Sequence, residues 1–183
     1  NGFPAVALAA ATALGGVAVA LVAPVLGQAS DRSGHTVRNL RWQTWAIAIL
    51  AGCLFFVAPA PAYLFLGLGI LTAASVIGEI ANVNYYALLD DVATKRDVGR
   101  VSGFGWGMGY LGGILVLLAI YFLFIQPEKG LFGVTSENGM DIRVSMLVCG
   151  LWTLVFTLPT FLNLKERPRT NITPATAVLA PYR

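Results

Sequence analysis

Five long apolar stretches constrain the fold of this chain more than any other feature. A bilayer core about 30 Å thick is crossed by a helix of roughly 20 apolar residues. Stretches of that kind occupy residues 3–26, 42–58, 62–89, 101–125 and 144–164. The third is interrupted by one charged residue, Glu79. The sequence therefore predicts an all-α membrane protein whose residues 1–165 cross the bilayer five times.

The composition agrees with a lipid environment. Hydrophobic residues make up 57% of the chain and charged residues only 11%, whereas soluble domains carry roughly twice that share of charge. A soluble fold must cover its surface with polar groups, but membrane helices can face lipid with apolar side chains. The prolines of Ala58-Pro59-Ala60-Pro61 disfavour a continuing helix and predict a hairpin between the second and third spans.

The basic residues predict the orientation of these spans. Ten of the twelve fall on one side of the membrane. They are Arg32, Arg38, Arg41, Lys95, Arg96, Arg100, Lys165, Arg167, Arg169 and Arg183. Because cytoplasmic loops carry the excess of lysine and arginine, these loops and the tail are expected in the cytoplasm, and the 126–143 loop outside. Residues 166–183, rich in Thr, Pro and Ala, predict the start of a cytoplasmic central linker.

The chain shows no pattern typical of an enzyme or of a metal, cofactor or nucleic-acid site. Cys53 and Cys149 lie inside predicted spans and lack the spacing of metal ligands or of a disulfide framework. No nucleophile–base pair or paired acid occurs at membrane depth. The net charge of +3 arises in loops at membrane ends rather than in a basic stripe. We therefore expect no catalysis, no cofactor, no metal and no nucleic-acid partner.

The loop after the first span, residues 27–38, is polar and basic. Its glycines permit a tight turn between antiparallel helices, and Asp31 can accept hydrogen bonds from backbone amides at a helix end. A solvated hairpin that only sets the topology explains these residues about as well. The spacing also resembles the signature loop between helices two and three of the major facilitator superfamily. That resemblance implies a gating loop formed by Gly27, Asp31, Arg32, Gly34 and Arg38.

The third span carries a polar face around an acidic residue. Spacings of 3, 4, 3 and 4 place its members on one side of a helix; they are Thr72, Ser75, Glu79, Asn82 and Tyr86. A charge at membrane depth costs a few kcal/mol and so faces protein or water. We favour a transport path in which Glu79 binds a proton or a substrate amine. The alternative is a polar cluster that packs helices together, with Glu79 neutral.

The fourth span begins with an unusual run of glycines. Small residues let helix backbones approach closely in membranes, so the run predicts helix packing. Its glycines are Gly103, Gly105, Gly107, Gly109, Gly112 and Gly113. The run follows a loop rather than a strand and continues into an apolar span, which argues against a nucleotide-binding loop.

Six segments of the chain together resemble one family more closely. They are residues 84–89 (NYYALL), 98–103 (VGRVSG), 105–113 (GWGMGYLGG), 151–152 (LW), 158–159 (LP) and 165–169 (KERPR). They are similar to the unknown major facilitator family, which includes the autophagy-related vacuolar amino-acid effluxers. The family tends to have Pro-Glu where this chain has Asp90-Asp91. The resemblance implies that the spans are helices two to six of a twelve-helix fold, within a partial N-terminal six-helix bundle.

An outside N-terminus that opens directly into a span, together with an odd number of spans, predicts a missing helix before Asn1. The linker predicts further chain after Arg183. The leading hypothesis is a secondary active transporter of small solutes that works by alternating access in a bacterial inner membrane. Amino acids are the substrate class that the resemblance implies. Coupling to an ion gradient is expected because the chain carries no ATP-binding motif, and Glu79 makes a proton one candidate for the ion. The alternative is a non-transporting membrane module, such as a channel subunit or an assembly scaffold.

Overall fold

The computed structural model describes residues 6–7, 9–10, 12–17 and 35–164, except for the side chains at 90 and 91. The longer elements of this part of the chain are all α-helices. They are α1 within 6–17, α2 at Thr36–Cys53, α3 at Leu64–Val92, α4 at Val98–Ile120 and α5 at Met140–Asn163. The predicted all-α membrane fold class is thus confirmed.

Three helical segments are long and apolar enough to cross a membrane. They are Pro61–Leu89, Val98–Ile125 and Glu137–Asn163, which coincide with the third, fourth and fifth predicted spans. The helices extend a few residues beyond the apolar stretches, because a helix continues into polar residues where it leaves the lipid. These segments make the chain an integral membrane protein.

The second predicted span lies in α2, but the helix starts six residues earlier than the apolar stretch, at Thr36. Arg38 and Arg41 therefore belong to the helix, and α2 is not among the segments that meet the length and hydropathy criteria for a span. Its crossing of the membrane stays a prediction. Most of the first predicted span lies outside the described residues.

Prolines and glycines mark the connections between the helices. α2 ends in a 3₁₀ turn at Leu54–Phe56, and a second 3₁₀ turn at Pro61–Tyr63 leads into α3 with its proline in the first helical turn. The predicted hairpin is therefore present. α4 continues as a π-helical turn at Tyr121–Ile125. α5 begins after Gly139, which has a positive φ of 63°.

α2 is the central helix of the described bundle. It packs against α3 on one side and α5 on the other, whereas α4 touches α3 and α5 at few points. The few buried apolar side chains are Val37, Ala48, Ala81, Leu88, Leu89, Val116, Ile120, Phe124 and Phe161. Many large apolar side chains remain exposed, as expected of helices whose outer faces meet lipid.

The backbones of α2 and α5 approach closely at Gly150. A Cβ atom at this position would lie 2.8 Å from the carbonyl oxygen of Ala48 and 3.6 Å from the amide nitrogen of Gly52. Small residues on both helices therefore permit the contact, in the way that membrane helices commonly pack.

Two arginines join the opposite ends of α2 and α5. Near the start of α2, Arg41 donates a hydrogen bond of 2.9 Å from Nη2 to the carbonyl oxygen of Phe161, near the end of α5. Near the start of α5, Arg143 donates from Nε to the carbonyl oxygen of Phe55, in the turn that ends α2. Each guanidinium also lies over the ring of that phenylalanine, at 5.6 Å and 4.9 Å from the ring centroid respectively. The final carbonyls of a helix lack partners within the helix, so each arginine caps the other's helix.

Candidate functional site

The polar face predicted on the third span lies on α3 in the structure. Ser75, Glu79, Asn82 and Tyr86 are exposed, and Thr72 is half-buried. Thr72 lies nearest α1, because a Cβ at Gly15 would lie 3.2 Å from the Thr72 Cγ2 atom. The four exposed side chains therefore form an open polar strip, which we call the α3 polar face.

Glu79 lies deep in the apolar segment Pro61–Leu89. It is ten residues from Leu89, and at 1.5 Å per residue that is about 15 Å, half the thickness of the hydrocarbon core. No lysine, arginine or histidine occurs between Arg41 and Lys95, so α3 carries no cation to neutralise it. A carboxyl group in this position can exchange a proton or hold a cationic group without competition from its own helix.

A groove of about 540 Å³ lies between α3 and α4, and Asn82 of the α3 polar face lines it. Asn82 and Tyr85 line it from α3, while Trp106 and Tyr110 line it from α4. Three glycines of the run, Gly105, Gly109 and Gly113, form much of its floor. The α3 wall therefore bears an amide and a phenol, and the α4 wall combines two aromatic side chains with glycine backbone.

The glycine run is mostly uncovered within the described part of the chain. At Gly103, Gly107, Gly109, Gly112 and Gly113, an added Cβ would have no atom of another element within 4 Å. Gly105 is the exception, because its added Cβ would lie 2.8 Å from the Tyr85 hydroxyl. The packing role of the run stays a prediction, and Gly150, which sequence reasoning missed, provides the close helix contact that is observed.

Sequence reasoning also missed a buried polar pair between α2 and α3. Asn84 is only 2% exposed, and its Nδ2 atom donates a hydrogen bond of 2.8 Å to Oε1 of Gln43. Asn84 lies two residues from Asn82 and thus faces roughly the opposite side of α3. Two features of the sequence could have indicated this pair: Asn84 is a polar residue that faces away from the α3 polar face, and Gln43 is a polar residue in the neighbouring apolar span. The pair fixes the rotation of α3 so that the polar face points away from α2.

The predicted gating loop falls largely outside the described residues. Gly27, Asp31, Arg32 and Gly34 are not described, and their gating role stays a prediction. Arg38 is exposed on the first turn of α2 rather than in a loop. Among the described residues, no group of three His, Cys, Asp or Glu side chains could hold a metal ion.

Comparison with known proteins yields one family and several relatives. Residues 90–181 match the model of a family described as vacuole effluxer Atg22 like. Autophagy-related protein 22 of Yarrowia lipolytica is 31% identical over 91 residues, which cover 50% of this chain and 14% of that protein. The "uncharacterized MFS-type transporter YxiO" of Bacillus subtilis is 26% identical over 151 residues, which cover 81% of this chain and 34% of that protein.

The matched range begins at the end of α3 and includes α4 and α5, so the α3 polar face lies ahead of it. The chain spans 14% of the length of the Yarrowia relative and 34% of the Bacillus relative. No solved structure gives a significant match.

Proposed function

The chain belongs to the family described as vacuole effluxer Atg22 like, and from this premise we propose that it is part of a secondary active transporter for small solutes. The observation that carries the proposal is Glu79 on the α3 polar face, deep in an apolar helix and without a basic partner on that helix. Membrane segments seldom retain an ionisable residue at that depth unless it serves a path for ions or substrate.

In an alternating-access mechanism, the groove between α3 and α4 would be part of the transport path. In transporters of this type the substrate lies near the membrane midplane and the two halves of the protein move around it. Asn82, about one helical turn from Glu79, and Tyr85, nearly two turns from it, bring hydrogen-bonding groups to the groove. Glu79 would bind a proton or a substrate amine, and the gating loop would control access from the cytoplasmic side.

The names of the relatives support transport across a membrane, and the carboxyl group of Glu79 suggests the substrate class. Several fungal relatives are named autophagy-related protein 22, and the family is described as vacuole effluxers. Amino acids, which carry an amine that a carboxylate can bind, are the solutes we propose. The match to the Bacillus protein covers 81% of this chain and supports the proposal of a bacterial inner membrane. We propose that the basic loops lie in the cytoplasm, because cytoplasmic loops carry the excess of lysine and arginine.

The test is the Glu79→Gln variant of the full-length protein in proteoliposomes, with labelled amino acids and with or without a pH gradient. Loss of a charged hydrogen bond costs about 1.5–3 kcal/mol, which corresponds to a roughly ten- to hundredfold loss of transport. We also expect the response to the pH gradient to disappear.

The matched control is Glu128→Gln, which removes the same charge from an exposed residue between α4 and α5 and should leave transport unchanged. Wild-type transport and wild-type pH dependence in Glu79→Gln would refute the role of Glu79. If the wild-type protein moves no solute on any gradient, the chain is instead part of a non-transporting membrane module.

A further inference from the structure

The connection between α4 and α5 carries an apolar tip that the transport proposal does not use. Phe132 is 91% exposed and Leu131 is 46% exposed. Phe132 also has a positive φ of 61°, a conformation that costs energy for a residue with a side chain other than Asn or Asp. A large apolar side chain in a strained conformation requires a compensating contact.

The backbone places this tip at the depth of the last turn of α4. After Ile125 the chain folds back, so that Gly130 lies against the helix it has just left. A Cβ at Gly130 would lie 2.8 Å from the carbonyl oxygen of Leu123 and 2.9 Å from the Cα atom of Phe124. Only glycine permits this approach, and it brings Leu131 and Phe132 level with the end of the apolar segment Val98–Ile125.

The neighbouring side chains at that level are suited to lipid. Tyr121, Phe122 and Leu123 are 48%, 58% and 43% exposed, so the end of α4 presents an aromatic and apolar surface. Aromatic residues concentrate where the hydrocarbon core meets the headgroups. The exposed Lys129 precedes the tip, and a lysine there can extend its ammonium group toward lipid phosphates.

Hydrogen bonds within the loop pair part of its backbone. The Gly130 amide donates to the Val134 carbonyl at 2.7 Å, and the Gly133 amide donates to the Gly130 carbonyl at 3.0 Å. Because unpaired backbone groups are costly near hydrocarbon, internal pairing makes a non-helical segment compatible with the interface.

We propose that Leu131 and Phe132 form a membrane anchor that inserts into the headgroup–acyl boundary of the bilayer beside the end of α4. The partner is the lipid surface, and the anchor fixes the depth of the α4–α5 hairpin. The proposal does not depend on the transport activity or on the side of the membrane to which the loop belongs.

Spin labelling tests the anchor in the full-length protein, reconstituted in phosphatidylethanolamine–phosphatidylglycerol vesicles. Nitroxide labels are attached through Phe132→Cys and, separately, Leu131→Cys, in a background in which Cys53, Cys149 and any other cysteines are replaced by alanine. We expect both labels to be relaxed more by oxygen, which partitions into lipid, than by a water-soluble nickel chelate.

The control label is placed through Asn138→Cys. Asn138 is an exposed residue of the same connection that also has a positive φ, of 52°, and we expect its label to show a lower ratio of oxygen to nickel accessibility. Ratios at 131 and 132 as low as that of a label in water would overturn the proposal, since the tip would then lie outside the bilayer. Shielding of both tip labels from both reagents would also overturn it, since protein would then cover the tip. Using two labelled positions guards against misfolding of a single variant.

Discussion

At the residue scale, close packing depends on which glycines meet a neighbouring backbone and not on how many a helix contains. The glycine run of α4 is prominent in the sequence, yet five of its six members have open space where a Cβ would stand among the described residues. Gly150 stands alone in its helix segment and contacts the backbone of α2. A run of glycines indicates that close approach is permitted, whereas the partner's position decides whether it occurs.

The contact at Gly150 predicts a loss of stability in Gly150→Ala. The new Cβ would lie 2.8 Å from a backbone oxygen, and overpacking of this kind costs about 1–3 kcal/mol, partly offset by about 1 kcal/mol of gained helix propensity. We expect a lower midpoint of thermal unfolding in detergent.

Gly99→Ala is the control for this change, because an added Cβ at Gly99, in the first turn of α4, has open space around it. Its midpoint should equal or exceed that of the wild-type protein. Equal midpoints for the two alanine variants would contradict the importance of the α2–α5 contact.

At the scale of elements, the paired arginine caps hold α2 and α5 antiparallel. Arg41 and Phe55 lie at opposite ends of α2, about 20 Å apart along the helix, so the two caps act at separate places. Each one combines a hydrogen bond to a helix-terminal carbonyl with a cation over a ring.

Removing either cap should therefore destabilise the helix pair independently of the other. We expect Arg41→Ala and Arg143→Ala each to cost about 1.5–3 kcal/mol, the range for hydrogen bonds that involve a charged group. The double variant should show the sum of the two, because distant sites are additive. Unfolding in a denaturing detergent series measures these changes.

Arg100→Ala is the matched control, since Arg100 is exposed and caps no helix in the described structure. A strong interaction energy between Arg41 and Arg143, or wild-type stability in either single variant, would show that the caps do not join the helices as described.

At the scale of the whole molecule, the distribution of basic residues predicts which loops face the cytoplasm. Lys95 and Lys129 lie in connections at opposite ends of α4. In the full-length protein depleted of other reactive cysteines, Lys129→Cys should react with a membrane-impermeant maleimide in intact cells. Lys95→Cys should react only after the cells are permeabilised, because its loop is expected on the cytoplasmic side.

The two labelled positions serve as controls for each other, as both are exposed lysines in connections at opposite ends of α4. The reverse labelling pattern would invert the predicted topology. Labelling of both residues in intact cells would show that α4 does not cross the membrane.

The sequence by itself determined the helical membrane architecture. In lipid, backbone N–H and C=O groups must pair with each other, and a single apolar stretch of this length can do so only as a helix. The sequence also predicted the helices at the third, fourth and fifth spans, the hairpin at Pro59 and Pro61, and the shared face of the polar residues of α3, since these follow from composition and helical period along one element. The first two crossings stay predictions. Family membership followed from short segments such as the glycine run, whose order along the chain is visible without a fold.

The tertiary structure alone decided which faces meet. Gln43 and Asn84 are 41 positions apart, and Arg41 and Phe161 are 120 apart, so no local pattern relates them. The first residues of α2 and α5, Thr36 and Met140, also lie ahead of the apolar stretches. Hydropathy indicates which residues contact lipid, whereas a helix extends as far as its backbone hydrogen bonds do. The depth of Phe132 depends on the contact between Gly130 and the helical turn before it. One glycine in a loop sequence does not show which backbone it will approach.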